Sequence, residues 1–262
     1  MAQPQIADAE APPLVSFSVS DGIGLILLQR PPVNAISDEL IAQLEQAVAE
    51  AAAADPQVLL LRSTSRAFCA GADLKMVGGR VGKPEGAAAM EATVRSFHRA
   101  FDRLAALPCV SIAEIAGVAL GGDLELALAC DLRIVSDQAR LGLPEVGVGL
   151  LPGAGGTQRL TRLCGAGVAA RVILAGEQIG GEEAVRLGLA DWCVPAADLT
   201  RRTDEIAARI RASSAEALRL SKRCIELASL PGPGGADAEI SGIVRLMMAP
   251  DTGRRVAAFL SR

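Results

Sequence analysis

Short apolar runs alternate with helix-forming patterns through the first half of the chain. Runs of strand type lie at residues 14–20, 23–28, 58–62, 110–115 and 132–135, and Asp21-Gly22 between the first two predicts a hairpin. Helical patterns lie at residues 37–54, where Ser37 is the predicted cap, and at residues 85–107 and 124–129. This order predicts stacked β/α units rather than an all-β or all-α fold. From residue 155 onward the pattern is almost wholly helical, with one predicted strand at residues 191–194 and a glycine- and proline-rich breaker at residues 230–235.

The chain divides into three predicted regions. Residues 1–13 have no lysine or arginine and no apolar segment of their own, so they lack the parts of a signal peptide and are expected to form a disordered leader. Residues 14–198 hold the alternating strands and helices, and residues 199–262 form a helical C-terminal region. The glycine- and alanine-rich residues 78–89 are expected to form a mobile loop.

Charge and composition argue against several classes of function. The 26 basic and 30 acidic residues give a net charge of −4, which provides no overall attraction for nucleic acid or an anionic membrane. The longest apolar stretch, residues 104–120, is broken by Pro108 and Glu114, so no membrane span is predicted. Six scattered cysteines without a C-x-x-C pair favour reduced thiols, no metal site and a cytoplasmic location.

Two carboxylates stand in apolar, glycine-punctuated surroundings: Glu125 within residues 121–129 and Glu145 within residues 141–147. A buried carboxylate is normally paired, protonated or used in chemistry, because burying its charge alone is costly. The chain has one histidine, His98, and no tyrosine. Helical spacing around His98 predicts a surface or packing role, so acid/base chemistry at neutral pH would fall to the carboxylates.

Glycine-rich segments provide places where backbone can approach a ligand closely. One comprises residues 67–75, for which an ordinary glycine turn is the alternative, and another is Gly121-Gly122, directly before the helix that carries Glu125. Helix N-termini present N–H donors suited to an anion or a developing oxyanion. Residues 153–157 lack the third glycine and the βαβ unit of a dinucleotide loop, so we expect them to pack a helix N-terminus beside the active site.

Taken together, these segments resemble the crotonase superfamily, also called the enoyl-CoA hydratase/isomerase superfamily, and among its members the enoyl-CoA hydratases. The matching segments are residues 30–35, 68–75, 116–131, 143–160, 175–179, 184–189 and 256–260. The resemblance implies an α/β fold built as a crotonase-like spiral of β-β-α units over residues 14–198, which carries the active site. It also implies that the helical region 199–262 builds homotrimers, often paired into hexamers.

The resemblance implies a role for each matching site residue. The backbone N–H groups of Ala72 and Gly122 match an oxyanion hole that binds the thioester oxygen. Coenzyme A would lie along Val33, Ala35 and Ala70, with Arg30 and Lys75 as candidates for its phosphates. Glu125 matches the base that activates water toward C3 and Glu145 the acid that protonates C2, although one shared water leaves this division open.

The implied activity is the reversible syn hydration of a trans-2-enoyl-CoA to a 3-hydroxyacyl-CoA. The coenzyme A thioester is the substrate, and no metal or redox cofactor is expected. The alternatives are another crotonase reaction, such as that of an enoyl-CoA isomerase or a specialised branched-chain hydratase, and an acyl-CoA-binding protein that has lost turnover.

Asp123 departs from the pattern of the superfamily, which usually has glycine between the oxyanion glycine and the catalytic glutamate. Residues two apart on a helix do not share a face, so we expect Asp123 to be exposed in the first turn, where the helix dipole favours it. The alternative is that a second negative charge raises the pKa of Glu125 or narrows the acyl pocket.

Overall fold

A β-hairpin is the first element in the described part of the chain. The structure, a computed structural model, describes residues 12–65, 67–68, 71, 73–228 and 234–261, so almost all of the predicted leader lies outside the described residues. Strands β1 (Val15–Ser20) and β2 (Ile23–Leu28) pair antiparallel, as predicted. Asp21 and Gly22 between them both have positive φ, a conformation that an Asp-Gly pair tolerates.

The strands form two sheets. The remaining strands are β3 (Val58–Ser63), β4 (Val110–Ile115), β5 (Val118–Leu120), β6 (Leu132–Ser136), β7 (Arg140–Gly142), β8 (Ile179–Gly180) and β9 (Trp192–Val194). The larger sheet has the order β1-β2-β3-β4-β6-β9 and is parallel beyond its first hairpin, while the smaller sheet has the order β5-β7-β8. The sequence predicts every strand of the larger sheet. It does not predict the smaller sheet, because two or three residues are too few to reveal an alternating pattern.

Two successive strand-strand-helix units lie side by side. β4 is the neighbour of β6 in the larger sheet, and β5 is the neighbour of β7 in the smaller one. β5 leads into α4 (Gly122–Ala127), while β7 leads into a 3-10 turn (Glu145–Val148) and then α5 (Gly156–Ile173). This repetition confirms the predicted α/β class and the spiral of β-β-α units.

The other helices cover the sheets and form the C-terminal region. They are α1 (Asp38–Ala54), α2 (Leu74–Arg80), α3 (Pro84–Ala105), α6 (Gly181–Arg186), α7 (Leu199–Arg211), α8 (Ala215–Ala228), α9 (Gly234–Met247) and α10 (Pro250–Leu260). The predicted cap of α1 is confirmed, since the Ser37 hydroxyl accepts the N–H of Leu40 at 3.2 Å. Helix α9 was not predicted. The glycine- and proline-rich breaker predicted at residues 230–235 lies mainly outside the described residues, and its last two residues begin α9.

The predicted mobile loop at residues 78–89 is wrong. Residues 78–80 belong to α2, and α3 begins at Pro84, so only a short connection separates the two helices. Proline is favoured in the first turn of a helix, and the alanines at residues 87–89 have the highest helix propensity. These local preferences outweigh the glycines from which the loop was inferred.

Helix α7 packs on the larger sheet. Its Leu199, Ile206 and Ala207 are buried in one apolar cluster with strand residues that include Val58 and Ile112. The first helix after residue 198 is thus in contact with the strands before it, and the division of the chain at 198/199 stays a prediction.

The last three helices have a different character. Within the described residues, α8 and α10 bury no side chain, and α9 buries only Gly242. Exposed apolar side chains here form what we call the apolar C-terminal face: Ile225, Ile240, Ile243, Val244, Met247, Met248, Val256, Phe259 and Leu260. Across the described part of the chain, no helix combines the length and the apolar character needed to cross a membrane.

Candidate active site

Strand pairing brings the two predicted carboxylates together. β5 and β7 lie parallel with Leu120 opposite Gly142, and the Gly121 N–H donates to the Gly142 carbonyl at 2.9 Å. Glu125 follows β5 on helix α4, and Glu145 follows β7 at the start of the 3-10 turn. Because the two strands end side by side, the segments that carry the glutamates begin at neighbouring points.

Glu125 is buried and held by backbone donors. Its side chain lies on the inner face of α4 and is 2% exposed. Its Oε1 accepts the N–H of Ala154 at 2.8 Å and the N–H of Gly156 at 2.7 Å. Both bonds go to one oxygen, so Oε2 is the oxygen that remains for a water or a substrate atom.

The pKa of Glu125 lies near neutrality. Burial is the main cause that raises the pKa of this carboxyl to about 7, and the negative charge of Glu145 raises it further. The bonds from Gly156 and Ala154 and the positive charge of Arg159 act in the opposite direction. A carboxyl with this pKa exists in both protonation states at neutral pH, as general acid/base catalysis requires.

Arg159 supports the turn that binds Glu125. Its Nη1 donates to the carbonyl of Ala154 at 2.8 Å, and its Nη2 pairs with Asp102 at 2.5 Å. The guanidinium lies against Gly155, where an added Cβ would be 2.2 Å from Nη1, and Gly155 has a φ of +98°. The positive φ favours glycine at this point of the turn, and a side chain here would displace the guanidinium of Arg159.

Glu145 lies closer to the rim of the site. It is half-buried at the start of the 3-10 turn, and its Oε1 packs against Gly121, where an added Cβ would be 3.0 Å away. Its Oε2 is buried and has no hydrogen-bond partner among the described residues. Burial raises the pKa of this carboxyl as well.

Both glutamates line one cavity of about 680 Å³. Gly71, Gly121 and Gly122 line it beside them. Much of the remaining wall is apolar and includes Val77, Met90, Val94, Phe97, Leu150 and Leu151. Two carboxyls with raised pKa values therefore face a pocket with space for an apolar group, which is an arrangement suited to proton transfer.

The predicted exposure of Asp123 is wrong, because the side chain is fully buried. Its Oδ2 accepts the N–H of Gly71 at 2.7 Å. The inward position follows from a chain segment distant in sequence, the loop at Gly71, which presents an N–H to the first turn of α4. The described lining of the cavity does not include Asp123, so the expectation that it narrows the acyl pocket is not supported. The effect of its charge on the pKa of Glu125 stays a prediction.

Similarity to known proteins shows the family of this chain. A family model described as enoyl-CoA hydratase/isomerase matches residues 18–240. The chain belongs to the enoyl-CoA hydratase/isomerase family. YngF of Bacillus subtilis is 42% identical over 215 residues, which cover 80% of this chain and 81% of that protein. The short-chain-enoyl-CoA hydratase of Clostridium acetobutylicum is 36% identical over 211 residues, which cover 78% and 77%. The structure of DspI from Pseudomonas aeruginosa has a TM-score of 0.87 at 35% identity and covers 98% of this chain and 96% of that one.

The structure describes one of the two oxyanion donors that the sequence predicts for this enoyl-CoA hydratase/isomerase protein. Gly122 lines the cavity as the first residue of α4, so its N–H has no acceptor within the helix. Ala72, the other predicted donor, lies outside the described residues, as does Ala70 of the predicted coenzyme A contact.

The remaining predicted coenzyme A contacts lie at the edges of α1 and α2. Val33 and Ala35 are half-buried in the segment before α1, and Lys75 is exposed in the first turn of α2. Arg30 pairs with Asp73 at 3.0 Å and also donates to the Ala35 carbonyl at 2.5 Å. Of the two predicted phosphate ligands, Arg30 thus has protein partners, whereas Lys75 extends from the surface.

Several residues of the site were not predicted from the sequence. The N–H groups of Ala154 and Gly156 bind Glu125, although the sequence indicated only a packing role for this turn. Val94 and Phe97 line the cavity from α3, and half-buried His98 lines it beside them. The amphipathic pattern of α3 marks Phe97 as an inward residue, but no sequence signal relates it to the glutamates.

Proposed function

We propose that this protein is an enoyl-CoA hydratase, which catalyses the reversible syn addition of water across the C2=C3 bond of a trans-2-enoyl-CoA to give a 3-hydroxyacyl-CoA. The observation that carries the proposal is the pair of glutamates that faces one cavity, with Glu125 at a pKa of about 7. Membership of the family and the name of the Clostridium acetobutylicum relative support the same reaction.

The chemistry follows from the position of each group. The thioester oxygen accepts hydrogen bonds from the backbone N–H of Gly122 and of Ala72, which stabilise the negative charge that develops as water adds. Glu125, through Oε2, removes a proton from a water directed at C3. Glu145 supplies the proton that C2 acquires. Positioned groups of this kind accelerate a reaction by about 10² to 10⁴-fold each.

The apolar wall provides room for the acyl chain. Val77, Met90 and Phe97 present only carbon or thioether surface to the cavity, so the substrate class that fits is an unsubstituted or alkyl-substituted enoyl group. Coenzyme A is part of the substrate, and the addition of water changes no overall oxidation state. The predictions of no metal, no redox cofactor, no nucleic acid partner and a cytoplasmic location are retained as part of this proposal.

A hydration assay tests the proposal. Loss of the absorbance of the conjugated thioester is followed with short, medium and long 2-enoyl-CoA substrates. We expect turnover by the wild type and a severe loss in the Glu125→Gln and Glu145→Gln variants. Glu91→Gln is the matched control, because Glu91 is exposed on α3 and paired only with Arg95 of the same helix among the described residues. Tight binding of acyl-CoA without turnover of any substrate would contradict the proposal and support the binding-protein alternative.

We also propose that the protein assembles as a homotrimer or a dimer of trimers. The exposed residues of the apolar C-terminal face support this, since contact with another subunit would remove large apolar side chains from water. Sedimentation velocity on the purified protein tests it. We expect a species of three or six subunits, and Ile243→Glu should shift the population toward monomer. A wild-type protein that sediments as a monomer at micromolar concentration would contradict the proposal.

A further inference from the structure

Asp123 is a buried carboxylate that the proposed reaction does not use. It lies in the first turn of α4, between Gly122 and the helix residues that lead to Glu125, and it has no solvent exposure. Residues that line the described cavity do not include it, so a bound substrate would not touch it. A role in the reaction must therefore pass through the groups that Asp123 contacts.

Asp123 contacts the backbone of Gly71. Asp123 Oδ2 accepts the Gly71 N–H at 2.7 Å, and the two residues are 52 positions apart in the sequence. Gly71 itself lines the cavity. A Cβ added to Gly71 would be 3.0 Å from the Leu120 carbonyl and 3.9 Å from the Gly122 nitrogen, so the loop lies directly against the start of α4.

The opposite side of the same loop is attached to another part of the core. The Gly71 carbonyl accepts the N–H of Ile36 at 2.8 Å, and the Ile36 carbonyl accepts the N–H of Asp73 at 3.0 Å. These bonds hold the loop to the segment before α1. The hydrogen bond that Asp123 accepts joins Gly71 to α4, which carries Gly122 and Glu125.

We propose that Asp123 is a positioning residue, whose hydrogen bond from the Gly71 N–H holds Gly71 against Gly122 and so sets the geometry with which the cavity binds the thioester oxygen. The inference rests on the proposed function. Gly71 directly precedes Ala72 in the sequence, so the loop that Asp123 holds is the one with the second predicted donor. A carboxylate suits this purpose because its hydrogen bonds to N–H groups are shorter and stronger than those of neutral acceptors.

Two variants separate this role from simple packing. Asp123→Ala removes the acceptor, whereas Asp123→Asn keeps an acceptor oxygen of the same reach. For each we would measure kcat and KM for hydration, the melting temperature, and the absorption band of bound dimethylaminocinnamoyl-CoA. That band moves to longer wavelength when the thioester carbonyl is polarised, so it reports the oxyanion donors without requiring turnover.

We expect Asp123→Ala to lower kcat by about 10 to 10²-fold, since displacements of the order of 1 Å at a reacting group have effects of this size. KM should change by less than about threefold, because the coenzyme A contacts are unaltered. The wavelength shift of the bound probe should shrink in the same variant. Asp123→Asn should restore both kcat and the shift to near their wild-type values.

An Asp123→Ala protein with wild-type kcat and an unchanged wavelength shift would overturn the inference. If that variant does not fold, Asp123→Asn is the test. A folded Asp123→Asn protein that no longer shifts the absorption band of the bound probe would also overturn the inference, because it keeps an acceptor oxygen of the same reach. Failure of the proposed function gives a different result. A wild-type protein that shifts the band but hydrates no substrate contradicts the hydratase proposal and still allows the Asp123 variants to be compared.

Discussion

The two sides of the cavity hold their glutamates in different ways. On the α4 side, Glu125 is 2% exposed and accepts two backbone N–H groups at Oε1. On the turn side, Glu145 begins a short 3-10 turn and is half-buried, and Val148 and Leu151 beyond it are more than 60% exposed. One carboxylate is thus held within the core, and the other lies where the wall of the site meets solvent.

The two carboxyls therefore differ in how strongly the surrounding structure restricts their orientation. Glu125 is held by the Ala154–Gly156 turn, which Arg159 supports from behind, so its orientation is determined by several elements at once. Glu145 depends on a turn of four residues, and its orientation has fewer constraints. We therefore expect the chemistry to be more sensitive to changes on the α4 side than on the turn side.

The largest expected effect separates the two glutamates directly. Glu125→Gln should lower kcat for hydration by roughly 10³ to 10⁴-fold, and Glu145→Gln by roughly 10²-fold, because solvent at the rim can replace part of the proton transfer. Steady-state kinetics with one short enoyl-CoA measures both. Equal losses of kcat in the two variants would contradict the expectation that the α4 side of the cavity is the more sensitive one.

The second prediction tests the turn that holds Glu125. Gly156→Ala would place a Cβ 2.8 Å from Cγ and Oε1 of Glu125, so the carboxylate must move, and we expect about a 10²-fold loss of kcat. Gly153→Ala is the matched control in the same turn, because its Cβ would meet the nearest atom, Cγ2 of Val94, at an ordinary 3.5 Å. Similar activity in both variants would mean that the turn tolerates displacement of Glu125.

The third prediction concerns stability, since the folded state raises the pKa of Glu125 from 4.5 to about 7. The protonated form is the one that the fold favours. The wild type therefore loses stability as the pH rises from about 4.5 through 7, by up to about 3 kcal/mol from this group. Glu125→Gln cannot ionise and avoids this loss.

Chemical denaturation of both proteins at several pH values measures this effect. The free energy of unfolding of Glu125→Gln should increase relative to that of the wild type as the pH rises from 4.5 to 8, so the variant gains relative stability. A difference that does not depend on pH would mean that burial does not raise this pKa.

The fourth prediction, with the smallest change, concerns the interaction between the charges of Glu125 and Glu145. The charge of Glu145 raises the pKa of Glu125, so Glu145→Gln should lower that pKa. If Glu125 acts as the base, kcat/KM rises with pH as Glu125 ionises, and this rise should move to lower pH in the variant. The residual activity of Glu145→Gln over a range of pH provides the measurement. A profile that stays in place would mean that the two carboxyls do not interact.

Much of the fold was predictable because its signals are local. The apolar runs of the larger sheet, the Asp21-Gly22 turn and the Ser37 cap each depend on a few adjacent residues. Strands β5 and β7 were not predicted, since three residues carry no periodic pattern, yet their pairing is what places Glu125 and Glu145 at one cavity. The short helix α2 was missed because its glycines favour a loop when they are considered alone.

The family and the class of fold could be inferred from the amino-acid sequence, which also predicted the two glutamates, because ordered motifs and local propensity indicate them. The burial of Asp123, the bonds from Ala154 and Gly156 to Glu125, and the wall that α3 contributes to the cavity became apparent only in the folded chain. Burial and hydrogen bonding depend on contacts between segments far apart in the chain, such as Gly71 and Asp123. Such contacts exist only once the two sheets and their helices have packed together.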